Sequence, residues 1–181
     1  MTDNDTVLIA RVVADDDRSA FELLVRRHQS PLRNFLRRLT KTDPDRADDL
    51  AQETFIKAYR SIATYAGQAR FATWLYRIAY TTFLNDQRRR FPETPFDEAQ
   101  HSAAVTDMEG AGIEADVDRL LSSLSARQRA VFDLHYKKGM SHQEVAQALD
   151  VPLGTVKSDL SRGQEILRTL VTQRTKTTCT I

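Results

Sequence analysis

The chain has 181 residues, of which 41% are hydrophobic and 28% charged, a globular composition that excludes wholesale disorder. The mean hydropathy is −0.47, and no stretch approaches the roughly 18 uncharged apolar residues of a membrane-spanning helix. One cysteine, Cys179, excludes an intramolecular disulfide and a cysteine-based zinc site. The first twenty residues hold five Asp and two Arg around a short apolar patch, which is not the charge order of a secretory signal peptide. We therefore expect a cytoplasmic protein without membrane insertion.

The net charge of +1 conceals an uneven distribution along the chain. Residues 1–92 carry a net charge of +4, residues 93–118 carry −8 without any Lys or Arg, and residues 119–181 carry +5. Clustered basic charge suits a polyanionic partner such as nucleic acid. Two ordinary solvated surfaces joined by a polar linker would explain the same numbers.

The N-terminal half is predicted to be helical because its apolar residues recur at spacings of three, four and seven. Residues 6–28 read as helix with a break near Asp15–Asp17, and Ser30–Pro31 predicts a new helix start. A second cap and proline pair, Asp43–Pro44, opens a helix to about residue 62, and a longer helix follows over residues 70–90.

The C-terminal half is predicted to be a separate helical unit. Residues 92–113 lack a helical period and read as a flexible acidic linker. Ser125 with Gln128 and Ser141 with Glu144 are spaced as capping boxes, and Gly139 is placed as a helix C-cap glycine. No segment alternates with period two. The sequence thus predicts an all-α chain with the following divisions: a domain over 1–92, a linker over 93–115, a domain over 116–173 and a tail over 174–181.

Residues 141–164, SHQEVAQALDVPLGTVKSDLSRGQ, have the pattern of a helix-turn-helix. A capped helix over 142–149 is followed by a turn with Pro152 and Gly154 and by a second helix, which in this motif enters the DNA major groove. The polar residues on that second helix are candidate DNA contacts: Thr155, Lys157, Ser158, Ser161 and Arg162. A generic helical hairpin with a solvated face is the alternative.

Three stretches together resemble an extracytoplasmic-function sigma factor of the sigma-70 family. Residues 124–167 resemble its region 4, DDLAQETFIKAYRSI at 48–62 resembles its region 2.2, and RFATWLYRIAYTTFLNDQRRR at 70–90 resembles its regions 2.3 and 2.4. The motifs occur in the family's order, with an acidic linker where other sigma factors have region 3. The resemblance implies partners: core RNA polymerase, through its β′ clamp helices and β flap, promoter DNA and an anti-sigma factor.

The helix that starts at Pro44 carries the residues that the resemblance assigns to polymerase binding: Asp48, Asp49, Gln52 and Glu53. Asp49 and Glu53 are four residues apart, so both carboxylates project from one face and repel each other slightly. Favourable placement of acids at a helix N-terminus explains the first turn without a partner, but not Glu53.

Aromatic and basic residues alternate over 65–90, which suits unpaired bases because rings stack on bases and arginines hold phosphates. The resemblance implies contact with the single-stranded −10 promoter element, and the candidates are Tyr65, Arg70, Trp74, Arg77, Tyr80, Arg88 and Arg89. Trp74 and Phe71 lie on the inner face and fit a core role better, whereas Tyr65, Tyr80 and the run Arg88–Arg90 fit a contact role better.

Three positions depart from the family's usual residues. Thr81 stands where many members have Asn, and Asp159 and Gln164 stand where members often have Arg. Asp159 would either repel DNA phosphates or accept a hydrogen bond from a cytosine amino group. Weaker affinity for the −35 element and an unusual −35 sequence both remain open.

We interpret the chain as an alternative sigma factor and not as an enzyme. The four histidines form no metal motif, no phosphate-binding loop is present, and neither a cofactor nor a metal is expected. A self-sufficient helix-turn-helix regulator that binds duplex DNA is the main rival, and a protein-interaction module without DNA binding is another. Residues 48–90 argue against the first rival, since they have no evident duplex-reading role.

Overall fold

The structure, a computed structural model, describes residues 3–40, 43–91, 121 and 123–178. Every regular element in these residues is helical, which confirms the all-α prediction. The predicted linker over 93–115 and Cys179 lie outside the described residues. None of the described helices has the length and apolarity needed to span a bilayer.

The N-terminal domain consists of four α-helices and one short 3₁₀ turn. They are α1 (Asp3–Asp15), α2 (Arg18–Leu39), α3 (Pro44–Ser61), the 3₁₀ turn Ile62–Thr64, and α4 (Phe71–Arg90). The predicted break is confirmed, because Asp16 takes a left-handed φ of 51° and the Asp17 carboxylate caps α2 by accepting from the Ala20 N–H at 3.0 Å. The cap before Pro44 is also confirmed, with Asp43 accepting from the Arg46 N–H at 3.0 Å.

The predicted helix start at Ser30–Pro31 is wrong, because α2 continues through Pro31. Proline has no N–H and therefore removes one hydrogen bond of the helix. Leu24 before it and Leu32 and Phe35 after it are nonetheless all buried on the same face. Their shared burial against α3 and α4 stabilises one continuous helix and offsets the loss of the backbone hydrogen bond at Pro31. The local sequence gives no sign of this burial.

The C-terminal domain consists of α5 (Ala126–Phe132), which runs into a π-helical turn (Asp133–Lys137), α6 (His142–Leu149) and α7 (Leu153–Thr178). Both predicted capping boxes are present. Gly139 has a φ of 65°, a conformation that favours glycine, as its place after a helix predicts. The ring of Phe132 packs against the backbone of α7 at Gly163, where a side chain would collide with it.

The two domains are in direct contact. Helix α6 packs along α4, and α5 packs against α2. The first helix of the helix-turn-helix therefore lies on the arginine-rich helix of the N-terminal domain.

Candidate functional site

Helices α2 and α3 form an open groove of about 720 Å³ on the surface of the N-terminal domain. Its floor is apolar and includes Phe21 and Val25 from α2 and Phe55 and Ile56 from α3. Ile56 is 45% exposed, although it is a large apolar side chain. An exposed apolar strip between charged edges is typical of a surface that binds another protein.

The four candidate polymerase contacts lie on α3, and three of them line this groove: Asp48, Asp49 and Gln52. Asp48 is half-buried, and its Oδ1 atom lies 3.4 Å from Arg33 Nε and 3.7 Å from Arg37 Nη2 on α2. Asp49 is exposed at the groove edge. Glu53 is exposed, and its Oε1 atom lies 2.7 Å from Lys57 Nζ on the same helix, so a neighbouring positive charge partly offsets its negative charge.

The aromatic residues before and within α4 form one cluster. The Tyr65 ring centroid lies 5.5 Å from that of Trp74 and 5.9 Å from that of Phe71. The Tyr65 hydroxyl donates to the Ala69 carbonyl at 2.5 Å, which closes the loop before α4. Phe71 is buried, whereas Tyr65 and Trp74 are half-buried, so only the latter two present ring surface at the edge of the domain.

The structure contradicts the assignment of Tyr80 to DNA contact. Its side chain is 2% exposed, and its ring packs on Phe83 with centroids 6.3 Å apart. Helix α4 is covered on several sides, by α2, by α3 and by α6, so a position that looks outward on a simple helical period is enclosed. Thr81, the next residue, is exposed.

Arg88 and Arg89 are exposed at the C-terminal end of α4, and Arg89 is held by Asp86. Asp86 is 5% exposed and also accepts from Arg46 Nε of α3 at 2.7 Å. Burial by itself would raise the pKa of the Asp86 carboxyl, but hydrogen bonds from Arg46 and Arg89 outweigh it and lower the pKa below 3.8. This ionised carboxylate anchors the basic end of α4 to α3. Sequence reasoning missed Asp86, since only the fold brings Arg46 to it.

The helix-turn-helix begins with a well-formed cap. The Ser141 N–H donates to Glu144 Oε2 at 2.9 Å, and the Glu144 N–H donates to Ser141 Oγ at 3.2 Å. The backbone N–H of Ser141 is the main reason why the pKa of Glu144 lies below its ordinary value of 4.5, and the Ser141 hydroxyl and Arg70 contribute. Asp150 ends α6 in the left-handed conformation with φ of 56° and opens the turn.

The first turns of α7 have an inner and an outer face. Val156, Leu160 and Gly163 are buried toward the domain core. The five candidate DNA contacts are not buried: Lys157, Ser161 and Arg162 are exposed, and Thr155 and Ser158 are half-buried. The side chains that could reach a major groove are therefore on one side of the helix.

Neither reading of Asp159 as a DNA-proximal residue agrees with the structure. Asp159 is 2% exposed, and its Oδ2 atom accepts from Arg127 Nε of α5 at 2.7 Å. The carboxylate is thus part of the domain core and faces neither phosphates nor bases. Gln164 is exposed, and its side-chain amide donates to the Tyr136 hydroxyl at 2.6 Å.

Comparison with known proteins identifies both domains. The family model for Sigma-70 region 2 matches residues 24–91, and the model for Sigma-70 region 4 matches residues 114–165. The ECF RNA polymerase sigma-E factor of Haemophilus influenzae is 33% identical over 178 residues, which cover 90% of this chain and 93% of that protein. The chain belongs to the extracytoplasmic-function sigma factors of the sigma-70 family.

Two further relatives extend this result. The RNA polymerase sigma-H factor of Pseudomonas aeruginosa is 34% identical to this sigma factor over 182 residues, which cover 91% of this chain and 92% of the relative. Among solved structures, the sigma factor RpoE of Bartonella quintana, crystallised with the anti-sigma factor NepR, superposes with a TM-score of 0.68 at 26% identity. It covers 84% of this chain and 96% of its own. The chain is therefore an alternative RNA polymerase sigma factor, a transcription initiation factor.

Proposed function

We propose that this sigma factor binds core RNA polymerase through the groove between α2 and α3 and directs it to promoters through α4 and α7. The groove is the observation that carries this proposal. It combines a partly exposed apolar floor with charges of both signs, the carboxylates of Asp48 and Asp49 and the guanidinium groups of Arg18, Arg33 and Arg60, and a regulator that reads DNA alone has no need of it. A helical partner that presents apolar side chains to the floor and basic groups to the exposed Asp49, such as the clamp helices of the β′ subunit, fits such a surface.

In this proposal the −10 element contacts Tyr65, Arg70, Trp74 and Arg77. It also contacts Arg88 and Arg89 at the exposed C-terminal end of α4. The half-buried rings of Tyr65 and Trp74 offer stacking surface, and the arginines offer donors to phosphates. The −35 element meets the outer face of α7, and the β flap meets the C-terminal domain. The chain itself catalyses no reaction, and it works in the cytoplasm, where polymerase and chromosome are.

An anti-sigma partner is also part of the proposal. The Bartonella quintana sigma factor, which is similar over both domains, is described in complex with the anti-sigma factor NepR. A protein that covers the α2–α3 groove or the DNA-binding faces would hold this sigma factor inactive.

The experiment that tests the proposed function is co-elution of the purified chain with core RNA polymerase, followed by transcription from genomic fragments. We expect a stable holoenzyme that initiates at a discrete set of promoters, and no sequence-specific binding of duplex DNA by the chain alone. Specific duplex binding without polymerase, together with absence from the polymerase fraction, would establish the self-sufficient regulator instead.

Arg162 is expected to read a base of the −35 element. If it donates to a guanine edge through two bonds, Arg162→Ala should cost about 1–3 kcal/mol at the best −35 sequence and relax the preference at one base pair. Contact with phosphate alone would weaken all sequences equally and reduce the salt slope by about one. Transcription from a panel of −35 variants measures this. Arg168→Ala, an exposed arginine farther along α7, is the matched control and should leave the promoter profile unchanged.

A further inference from the structure

Helix α1 precedes the part of the chain that the region 2 family model matches, which starts at residue 24. The helix is nonetheless well packed. It buries Leu8, Ile9 and Val12, lies along α2 and contacts the 3₁₀ turn Ile62–Thr64. Because that turn leads directly into the loop that carries Tyr65, α1 lies next to the surface proposed for the −10 element.

Asp5, near the start of α1, binds two consecutive residues of α2. Its Oδ2 atom lies 3.0 Å from His28 Nε2, and its Oδ1 atom accepts from Arg27. A carboxylate can only accept, so the Nε2–H of the imidazole donates. The side chains of Asp5 and His28 are 16% and 14% exposed, so this hydrogen bond fixes the direction of the imidazole ring with little competition from water.

The imidazole ring in turn packs on the centre of the aromatic cluster. The His28 and Phe71 centroids lie 5.2 Å apart, with the two rings in an edge-to-face arrangement. Phe71 is 3% exposed, and its centroid lies 5.6 Å from that of Trp74 and 5.9 Å from that of Tyr65. A continuous series of contacts therefore links Asp5 of α1 to the two half-buried rings.

The electrostatics of Tyr65 also show how close Asp5 lies to the cluster. Burial raises the pKa of the Tyr65 hydroxyl above its ordinary value of 10.0, and the negative charge of Asp5 raises that pKa further. Asp5 thus acts on Tyr65 through space as well as through His28 and Phe71.

The loop that carries Tyr65 is closed by local features. The Tyr65 hydroxyl donates to the Ala69 carbonyl, and Gly67 has a left-handed φ of 70°. These features shape the loop, but its direction relative to α4 is set by the contacts of the Tyr65 ring with Phe71 and Trp74. Stacking on a base is strongest when the ring is already held in the binding orientation, since no rotamer freedom is then lost on binding.

We propose that Asp5 and His28 are positioning residues for recognition of the −10 element. The Asp5–His28 hydrogen bond holds the imidazole against Phe71, and Phe71 holds Tyr65 and Trp74 in the orientation that stacks on unpaired bases. Neither Asp5 nor His28 contacts DNA itself. This inference rests on the proposed function, because it takes the Tyr65 and Trp74 rings as part of the −10 surface.

The test uses holoenzyme reconstituted with full-length Asp5→Ala and His28→Ala variants. The probe is a short labelled single-stranded DNA with the −10 sequence of a promoter found in the transcription experiment above, and its anisotropy gives the affinity. We expect both variants to bind this DNA about three- to tenfold more weakly, while circular dichroism and co-elution with core polymerase stay unchanged. Wild-type affinity of either variant would overturn the proposal.

Two further variants separate positioning from a general loosening of α1. Arg11→Ala removes an exposed ion pair with Asp17 at the other end of α1 and should stay within about twofold of wild type. Asp5→Ala/His28→Phe also lacks the Asp5 carboxylate, but a phenyl ring packs against Phe71 without needing a hydrogen-bond partner. It should therefore recover most of the lost affinity. An equal loss in Arg11→Ala, or no recovery in the double variant, would show that α1 acts only as structural support.

The Tyr65→Ala/Trp74→Ala variant tests the proposed function separately. We expect it to lose at least as much affinity for the single-stranded DNA as Asp5→Ala does. If it binds like wild type, the −10 surface lies elsewhere, and both the proposed role of these rings and the positioning role fail. If it loses affinity while Asp5→Ala and His28→Ala do not, the −10 surface stands and only the positioning role is overturned.

Discussion

Replacing Asp49 and Glu53 together by lysine is expected to abolish co-elution of the sigma factor with core RNA polymerase while the helical fold is retained. Both side chains are exposed on α3, and the double change shifts the local charge by +4 beside the groove. A cationic partner helix would then meet repulsion where it now meets complementary charge. The loss of the Glu53–Lys57 pair costs little stability, because exposed pairs four residues apart contribute about 0.3–0.5 kcal/mol.

Circular dichroism and size-exclusion chromatography with core polymerase measure the two parts of this prediction. Asp15→Lys/Glu165→Lys is the matched control, with the same charge change at exposed positions outside the groove. The control should form holoenzyme normally. If the Asp49/Glu53 variant co-elutes with wild-type affinity, the groove is not the polymerase interface.

Asp159→Ala is expected to cost about 3 kcal/mol of unfolding free energy, which would be a severe loss for so small a domain. The replacement leaves Arg127, which is 18% exposed, without the carboxylate that now accepts from its Nε atom at 2.7 Å. Removing one partner of a buried pair typically costs 3–5 kcal/mol, and the lower end applies because Arg127 retains some solvent. The prediction concerns stability, whereas a DNA-contacting Asp159 would have affected promoter choice.

Urea unfolding of the full chain measures this effect with two probes. Trp74, the single tryptophan, reports on the N-terminal domain by fluorescence, and far-ultraviolet circular dichroism reports on both domains. We expect the dichroism midpoint to fall much more than the fluorescence midpoint. Glu165→Ala on the same helix is the control and should stay within about 0.5 kcal/mol. Replacing both Asp159 and Arg127 by leucine should recover most of the loss, because a buried pair can be exchanged for apolar packing. An unchanged midpoint for Asp159→Ala would show that the pair contributes nothing.

Local features of this protein were predictable because their causes lie within a few residues. The caps at Asp43, Ser125 and Ser141 each satisfy the backbone N–H group three residues away, so their side-chain types and spacing are sufficient evidence. The break at Asp15–Asp17 and the left-handed Gly139 are of the same kind. The family resemblance rests on several such motifs in order, which is why the function could be read before the fold.

The errors arose where distant parts of the chain meet. Pro31 is a valid start signal, but burial on both sides of it holds α2 together. Tyr80 looks outward on one helical period, yet α4 is enclosed by other helices and the ring is in the core. Asp159 looks like a residue of the DNA face, yet it is buried and its carboxylate pairs with Arg127, 32 positions earlier.

The sequence by itself determined the helical fold class, the capped boundaries, the helix-turn-helix and the family, because each depends on residue types at spacings of a few positions. Only the tertiary structure decided which charges are exposed to solvent, which face the core and which face the other domain. The ion pairs Arg46–Asp86, Arg70–Glu144 and Arg77–Asp150 join residues that are 40 to 74 positions apart. The residues around a carboxylate in the sequence look the same whether its partner is another protein, a phosphate or an arginine of its own chain. The partner is fixed only by packing, which depends on contacts between elements that have no sequence proximity.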